Sequence, residues 1–346
     1  MPSIAVRQRN RNHKPALAWL AWFTVAWTLL LLFMGGFTTS IGAGMVFLDW
    51  PLSDGSLNPQ GWLSDQDMFA EHSHRLLGAQ VGLLVMAIGI WIYLREERPW
   101  LRWLALFAFV LVTVQGLLGG GRVLFDELNI ETDHNLLAQT LAIIHACAAQ
   151  VFLCVMVAIS LGLTRFWIEH NAGLSRPMPR HLKLWGLAAC AAIFLQLIAG
   201  AVMRHHHAGL VIPYFPLSSP DSLLPAAWGF HVGIHFAHRV GAVVVTVVLL
   251  AFVWQLWRRP EPLPVQRVLA VSLVLLLTVQ IYLGASIIWT QRNPYPTTFH
   301  VIVGALILAV AWAITFPCFR QPEPAAETAR HRVKHQTDPS GTAIAG

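Results

Sequence analysis

The sequence predicts an all-α integral membrane protein, with eight transmembrane helices forming two pseudo-twofold-related four-helix bundles. Three observations predict it: long uncharged runs, a one-sided distribution of basic residues, and an internal repeat. Of 346 residues, 56% are hydrophobic and 12% charged. No formal charge occurs in the 34 residues after Lys14, or in the 19 after Arg75 and the 19 after Arg102. Crossing the hydrocarbon takes roughly 20 apolar residues. This composition excludes a soluble globular enzyme, a disordered chain and a nucleic-acid binder, despite a sequence pI near 9.5.

The spans are predicted at 16–37, 73–94, 102–121, 138–163, 184–203, 228–257, 268–289 and 298–318. The first follows a basic stretch as a signal peptide would, but no small-residue cleavage site follows it, so it is kept as a span. The second and sixth begin close to charged residues. The other five fill uncharged runs. Basic residues collect on the cytoplasmic side of short loops. One side receives 18 of the 23 Lys and Arg residues; the other holds Arg75, Arg122, Arg204, Arg239 and Arg292 with ten acids. Both termini are therefore expected in the cytoplasm. All four cysteines, Cys147, Cys154, Cys190 and Cys318, lie in or at the ends of spans, so no outer-face disulfide is expected. The polar tail from 319 is expected to be disordered.

The repeat relates the two halves. GAGMVFLDWPLS at 42–53 aligns with HAGLVIPYFPLS at 207–218, and TVQGLLG at 113–119 with TVQIYLG at 278–284, both offset by 165. His74-Arg75 aligns with His238-Arg239 at an offset of 164. Each half has an even number of spans, so the halves share one orientation, with the axis along the membrane normal. The units are then a segment at 1–15, a bundle at 16–163, a linker at 164–183, a bundle at 184–318 and a tail at 319–346.

Ionisable side chains within spans face the bundle interior and mark function. His74, His145, His238 and His300 fall toward the outer ends of the even-numbered spans, one pair per half. Facing histidines on two helices of a bundle can hold a heme as axial ligands. Zinc is the rival and would want three or four ligands close together. The run His205-His206-His207 reads as interfacial polarity or a weak metal site. Arg75 and Arg239 follow their histidines directly and could bind heme propionates bidentately; ordinary snorkelling is the alternative. Glu71 lies three residues before His74, on the same helical face, and its repeat counterpart is His235. A carboxylate in one half only suggests one catalytic and one electron-transfer or structural site.

These residues resemble the heme A synthase family. The resemblance rests on GGFTTSIGAGMVFLDWPLSDGS at 35–56, EHSHR at 71–75 with Gly78, and HACAAQ at 145–150. In the second half it rests on GAVMRHHHAGLVIPYFPL at 200–217, HFAHRVGA at 235–242 and FHVIVGA at 299–305. It implies oxidation of a heme O ring methyl to the formyl group of heme A. It implies iron-ligating roles for His74, His145, His238 and His300 and a required carboxylate at Glu71. The N-terminal half then takes heme O as substrate, and the C-terminal half holds heme b. Heme O synthase is the expected donor, cytochrome oxidase the recipient, and an unidentified electron acceptor completes the reaction in a bacterial inner membrane; a homo-oligomer is compatible. The chain departs from the family pattern at Thr39, where many relatives carry a basic residue, and it has no cysteine pair in the first outer loop. His134 is the alternative ligand to His145. Two other readings remain at this stage, a di-heme electron carrier and a transporter. The latter lacks the broken helices expected near the midplane.

Overall fold

The structure, a computed structural model, describes residues 13–127, 135–169, 178–259 and 264–320. His134 and the segments 1–12 and 321–346 lie outside the described residues. Eight long helices make up the fold: α1 (Pro15–Ile41), α2 (Gln66–Arg95), α3 (Pro99–Glu127), α4 (Leu136–Leu163), α5 (Arg180–His205), α6 (Phe230–Trp257), α7 (Pro264–Trp289) and α8 (Pro294–Thr315). All eight are long and apolar enough to cross a membrane. The chain is a multi-pass membrane protein. Large side chains such as Trp19, Tyr93, Trp103 and Val247 are well over half exposed on helix surfaces, as expected where lipid is the solvent.

Several helices run further than the apolar runs suggest, and local capping explains it. α1 continues through Thr38, Thr39 and Ser40, whose hydroxyls donate to the carbonyls of Met34, Gly35 and Gly36. It stops at Gly42, which takes the left-handed conformation (φ 84°) that glycine adopts without steric cost. α2 begins at Gln66 because the Asp65 carboxylate accepts the N–H groups of Asp67 and Met68. α8 begins at Pro294, capped by Asn293. His74 and His300 therefore do not open their helices. They lie about two turns inside them, whereas the predicted spans 73–94 and 298–318 put them within the first three residues.

α1 to α4 pack in a closed cycle, each on the next and α4 back on α1. α5 to α8 do the same, and the two cycles meet where α1 packs on α8, α4 on α5 and α4 on α8. Buried apolar side chains form two clusters: one drawn mainly from α1–α4 with Ala305 and Ala309 of α8, the other centred on α5–α8. At the end carrying the start of α1, Glu96 is wholly buried and pairs with Lys14 and Arg98, each at 2.8 Å. Arg98 also donates to the carbonyl of Gly162 at 2.7 Å. This clasp ties the α2–α3 turn to α1 and α4. The opposite end carries the long loops after α1 and α5, each with a short bridge, Ser53–Ser56 and Ser219–Ser222. The predicted histidines all lie toward this loop-rich end.

Candidate cofactor sites

Each of the four histidines rests on a glycine of the preceding helix. A Cβ added at Gly35 of α1 would stand 2.6 Å from Cε1 of His74, and one at Gly119 of α3 would stand 3.4 Å from Cε1 of His145. In the second half the distances are 3.1 Å from Gly200 of α5 to His238 and 3.2 Å from Gly284 of α7 to His300. Gly35 matches Gly200, and Gly119 matches Gly284, both at the repeat offset of 165. Odd helices thus supply bare backbone, and even helices supply the imidazole that uses the space. Sequence reasoning aligned TVQGLLG with TVQIYLG without seeing that the terminal glycines are the working positions. The signal was the exact repeat spacing of glycines one helix before each histidine.

The imidazoles are also oriented by hydrogen bonds. Nδ1 of His74 lies 3.3 Å from the carbonyl of Leu31, and Nδ1 of His300 lies 3.2 Å from that of Gln280. A carbonyl only accepts, so Nδ1 donates and Nε2 keeps its lone pair for a metal or another donor. The Gln280 amide nitrogen lies 3.3 Å from Nε2 of His300. The amide nitrogen of Gln196 stands 3.1 Å from Nδ1 of His238 and donates to the His238 carbonyl at 2.7 Å. Gln115 donates to the His145 carbonyl at 3.0 Å, while the buried Nδ1 of His145 has no partner among the described residues. Gln115 and Gln280 are repeat mates, so a glutamine contacts the histidine of the fourth helix in both halves.

The rings of His238 and His300 stand 6.4 Å apart between centroids, at 63°. Two imidazoles on opposite sides of one metal, with bonds of about 2 Å, place their centroids about 6 to 6.5 Å apart. His74 and His145 lie within electrostatic reach of each other in the other half. Among the described residues no group of three or more His, Cys, Asp or Glu is placed to hold a metal, which leaves the zinc alternative without a ligand set. Paired imidazoles over glycine floors, with Nδ1 of one histidine in each pair tied to a carbonyl, fit a heme iron.

Glu71 and Arg75 lie between α2 and the first long loop. Glu71 is 4% exposed. Its Oε2 accepts the N–H groups of Val46 at 2.7 Å and Phe47 at 3.1 Å, and its Oε1 accepts Arg75 at 2.5 Å. Arg75 donates in addition to the carbonyls of Phe47, Asp49 and Leu52. Arg239 donates to Ile212 and Leu217, the repeat mates of Phe47 and Leu52, at 3.0 and 2.9 Å. Both arginines thus fasten a loop to the helix that bears a histidine, a job the sequence did not disclose. His235, the counterpart of Glu71, is buried with its Nδ1 unpartnered among the described residues. In the first loop, Asp49 accepts the N–H groups of Asp54 and Gly55, each at 2.8 Å. Partial burial opposes its ionisation. The Gly55 and Asp54 bonds and the charge of Arg75 outweigh that, so the carboxyl is held below its ordinary range.

Residues 18–312 match the family model COX15-CtaA, described as cytochrome oxidase assembly protein. The chain belongs to this family. A heme A synthase of Geobacillus kaustophilus is 26% identical over 90% of this chain and 95% of its own length. One from Symbiobacterium thermophilum is 30% identical over 74% of this chain and 80% of its own. Another, from Alkalihalophilus pseudofirmus, is 27% identical over 81% of this chain and 90% of its own. The family match spans both histidine pairs and all four glycines. It ends before the short 3-10 turn Phe316–Phe319. The Thr39 hydroxyl donates to the carbonyl of Gly35, the glycine beneath His74. His205 ends α5, and the ring of His206 packs edge-on against Phe230 and His231.

Proposed function

We propose that this protein is a heme A synthase, oxidising the ring methyl of heme O to the formyl group of heme A through hydroxylated intermediates. The observation that carries this reading is the pairing of His74 with His145 and His238 with His300 over repeat-related glycines, in a chain of this family. The first half is the substrate site for heme O, and the second holds heme b as a resident cofactor. A bound heme b supplies one-electron chemistry; the protein's part is to hold, orient and shield. His74 and His145 would hold the first-half heme and His238 and His300 the second, with Nε2 left free for a metal where Nδ1 is bonded to a backbone carbonyl.

Glu71 is the half-specific group. Three residues from His74 on one helix, it presents a buried carboxylate that accepts a proton or stabilises positive charge as the methyl is oxidised. The second half has His235 instead, consistent with chemistry in one half only. Arg75 and Arg239 serve the propionate-bearing side of each heme, by their charge and through the loops they fasten. Oxidation of the methyl to a formyl group takes its oxygen from water and releases protons and electrons, the electrons passing to an acceptor outside this chain.

The two helix cycles form two bundles, 16–163 and 184–318, about a pseudo-twofold axis, joined by the linker 164–183 and flanked by terminal segments 1–15 and 319–346. The one-sided basic residues support a bacterial inner-membrane protein with both termini in the cytoplasm. Heme O synthase is the donor of substrate, and cytochrome oxidase receives the product. The test is to express the protein with a heme O source and identify the extracted pigments. Formyl heme should accumulate; its absence from cells holding folded protein removes the reading.

A further inference from the structure

We propose that Arg204 receives a propionate carboxylate of the tetrapyrrole seated on His238 and His300, at the junction of the two halves. The proposal rests on the heme reading given above. Arg204 lies four residues beyond Gly200 on α5, one helical turn along the same face, so it stands just outward of the floor under His238. Its Nη2 crosses to the first half and donates to the carbonyl of Gly36 at 2.6 Å and the hydroxyl of Ser40 at 2.8 Å. Ser40 is held in turn by Thr298 of α8 at 3.0 Å, and both are buried. The guanidinium is thereby fixed between α1, α5 and α8.

Both of these acceptors are neutral. No acidic side chain among the described residues pairs with Arg204, and Nε and Nη1 have no acceptor among them. A cation within a membrane span is costly without an anion. Arg122 and Arg292 stand within electrostatic range and add like charge. With Nη2 committed to Gly36 and Ser40, the free Nε–H and Nη1–H donors can give a carboxylate charge-assisted hydrogen bonds. Arg75 and Arg239, the arginines next to the histidines in sequence, already bond to loop carbonyls. The site is one-sided, since the repeat mate of Arg204 is Thr39, whose hydroxyl, among the described residues, bonds within its own helix. That asymmetry assigns the carboxylate to the second-half heme.

The test uses the full chain, prepared without heme, with His74→Ala to confine binding to the second half. It is titrated with protoheme and with protoheme dimethyl ester. A charge-assisted bond to the carboxylate should make protoheme bind about 10- to 100-fold tighter than the ester. Arg204→Met should remove most of that ratio, leaving only what the charge of Arg239 contributes, and Arg204→Lys, which keeps the charge without the planar donors, should retain more of it. If Arg204→Met does not fold, Arg204→Gln carries the same readout, because its amide can still donate to Gly36. A ratio unchanged in Arg204→Met or Arg204→Gln overturns the proposal, as does a parent that binds acid and ester equally. Failure of the His74→Ala parent to bind protoheme at all would instead count against the heme reading itself.

Discussion

Replacing Gly35 with alanine tests the glycine floors with a matched control one residue away. The new Cβ would sit 2.6 Å from Cε1 of His74, whereas carbon contacts settle near 3.5 to 4.0 Å. The imidazole must therefore swing by about 1 Å, which also breaks its 3.3 Å contact with the Leu31 carbonyl. Metal–ligand distances tolerate about 0.2 Å, and losing an orienting contact typically costs 10- to 100-fold in metal affinity. Gly35→Ala should thus weaken first-half heme binding by at least about tenfold, leaving the second-half heme in place. At Gly36 an added Cβ would meet Thr298 at an ordinary 3.6 Å, so Gly36→Ala should bind both hemes. Heme content per folded protein, with reduced-minus-oxidised spectra, reads both variants. Wild-type heme content and spectrum in Gly35→Ala would refute the reasoning.

Gly200→Ala, at 3.1 Å from His238, should lower second-half heme content and spare the first half, read by the same spectra. Glu71→Gln keeps an acceptor for Val46 and Phe47 but removes the charge. Heme A formation should fall by about 100-fold or more while both hemes stay bound, and undiminished product would take Glu71 out of the chemistry. Glu96→Ala leaves Lys14 and Arg98 without their buried partner, a loss of about 3 to 5 kcal/mol for broken buried pairs. The melting temperature in detergent should drop, with the heme spectrum of the folded fraction unchanged. Asp49 has its folded-state pKa lowered. Its contribution to loop order is therefore present above the ordinary carboxylate pKa and lost as pH falls through the lowered value. Proteolytic nicking of the 42–65 loop should rise on acidification, and Asp49→Ala should be nicked at neutral pH.

Most of the helical architecture was legible from uncharged runs, because membrane burial imposes a strong composition signal. The ends were less so. Thr38, Thr39 and Ser40 look like loop residues, yet their hydroxyls bond back along α1 and extend it. Asp65 starts α2 well before its apolar stretch. The histidines were legible as a repeat-related set. Their floors were not, since a glycine carries no chemistry and acquires meaning only when a neighbouring helix brings an imidazole against it. The partners of Arg75 and Arg239 were hidden for a related reason. Backbone carbonyls leave no mark in sequence, so loop anchoring by Phe47, Leu52, Ile212 and Leu217 required coordinates. Arg204 was counted only as an outer-side charge, and its reach to Gly36 across the halves follows from tertiary packing.

The most direct measurement of the central claim is the identity of the hemes bound by each half. Protein purified from cells supplied with heme O should carry protoheme together with heme O or heme A. His74→Ala should keep the protoheme, lose the other pigment and yield no heme A, while His238→Ala should lose the protoheme. Retention of heme O or heme A by His74→Ala, or a wild-type protein carrying protoheme alone in both halves, would contradict the account.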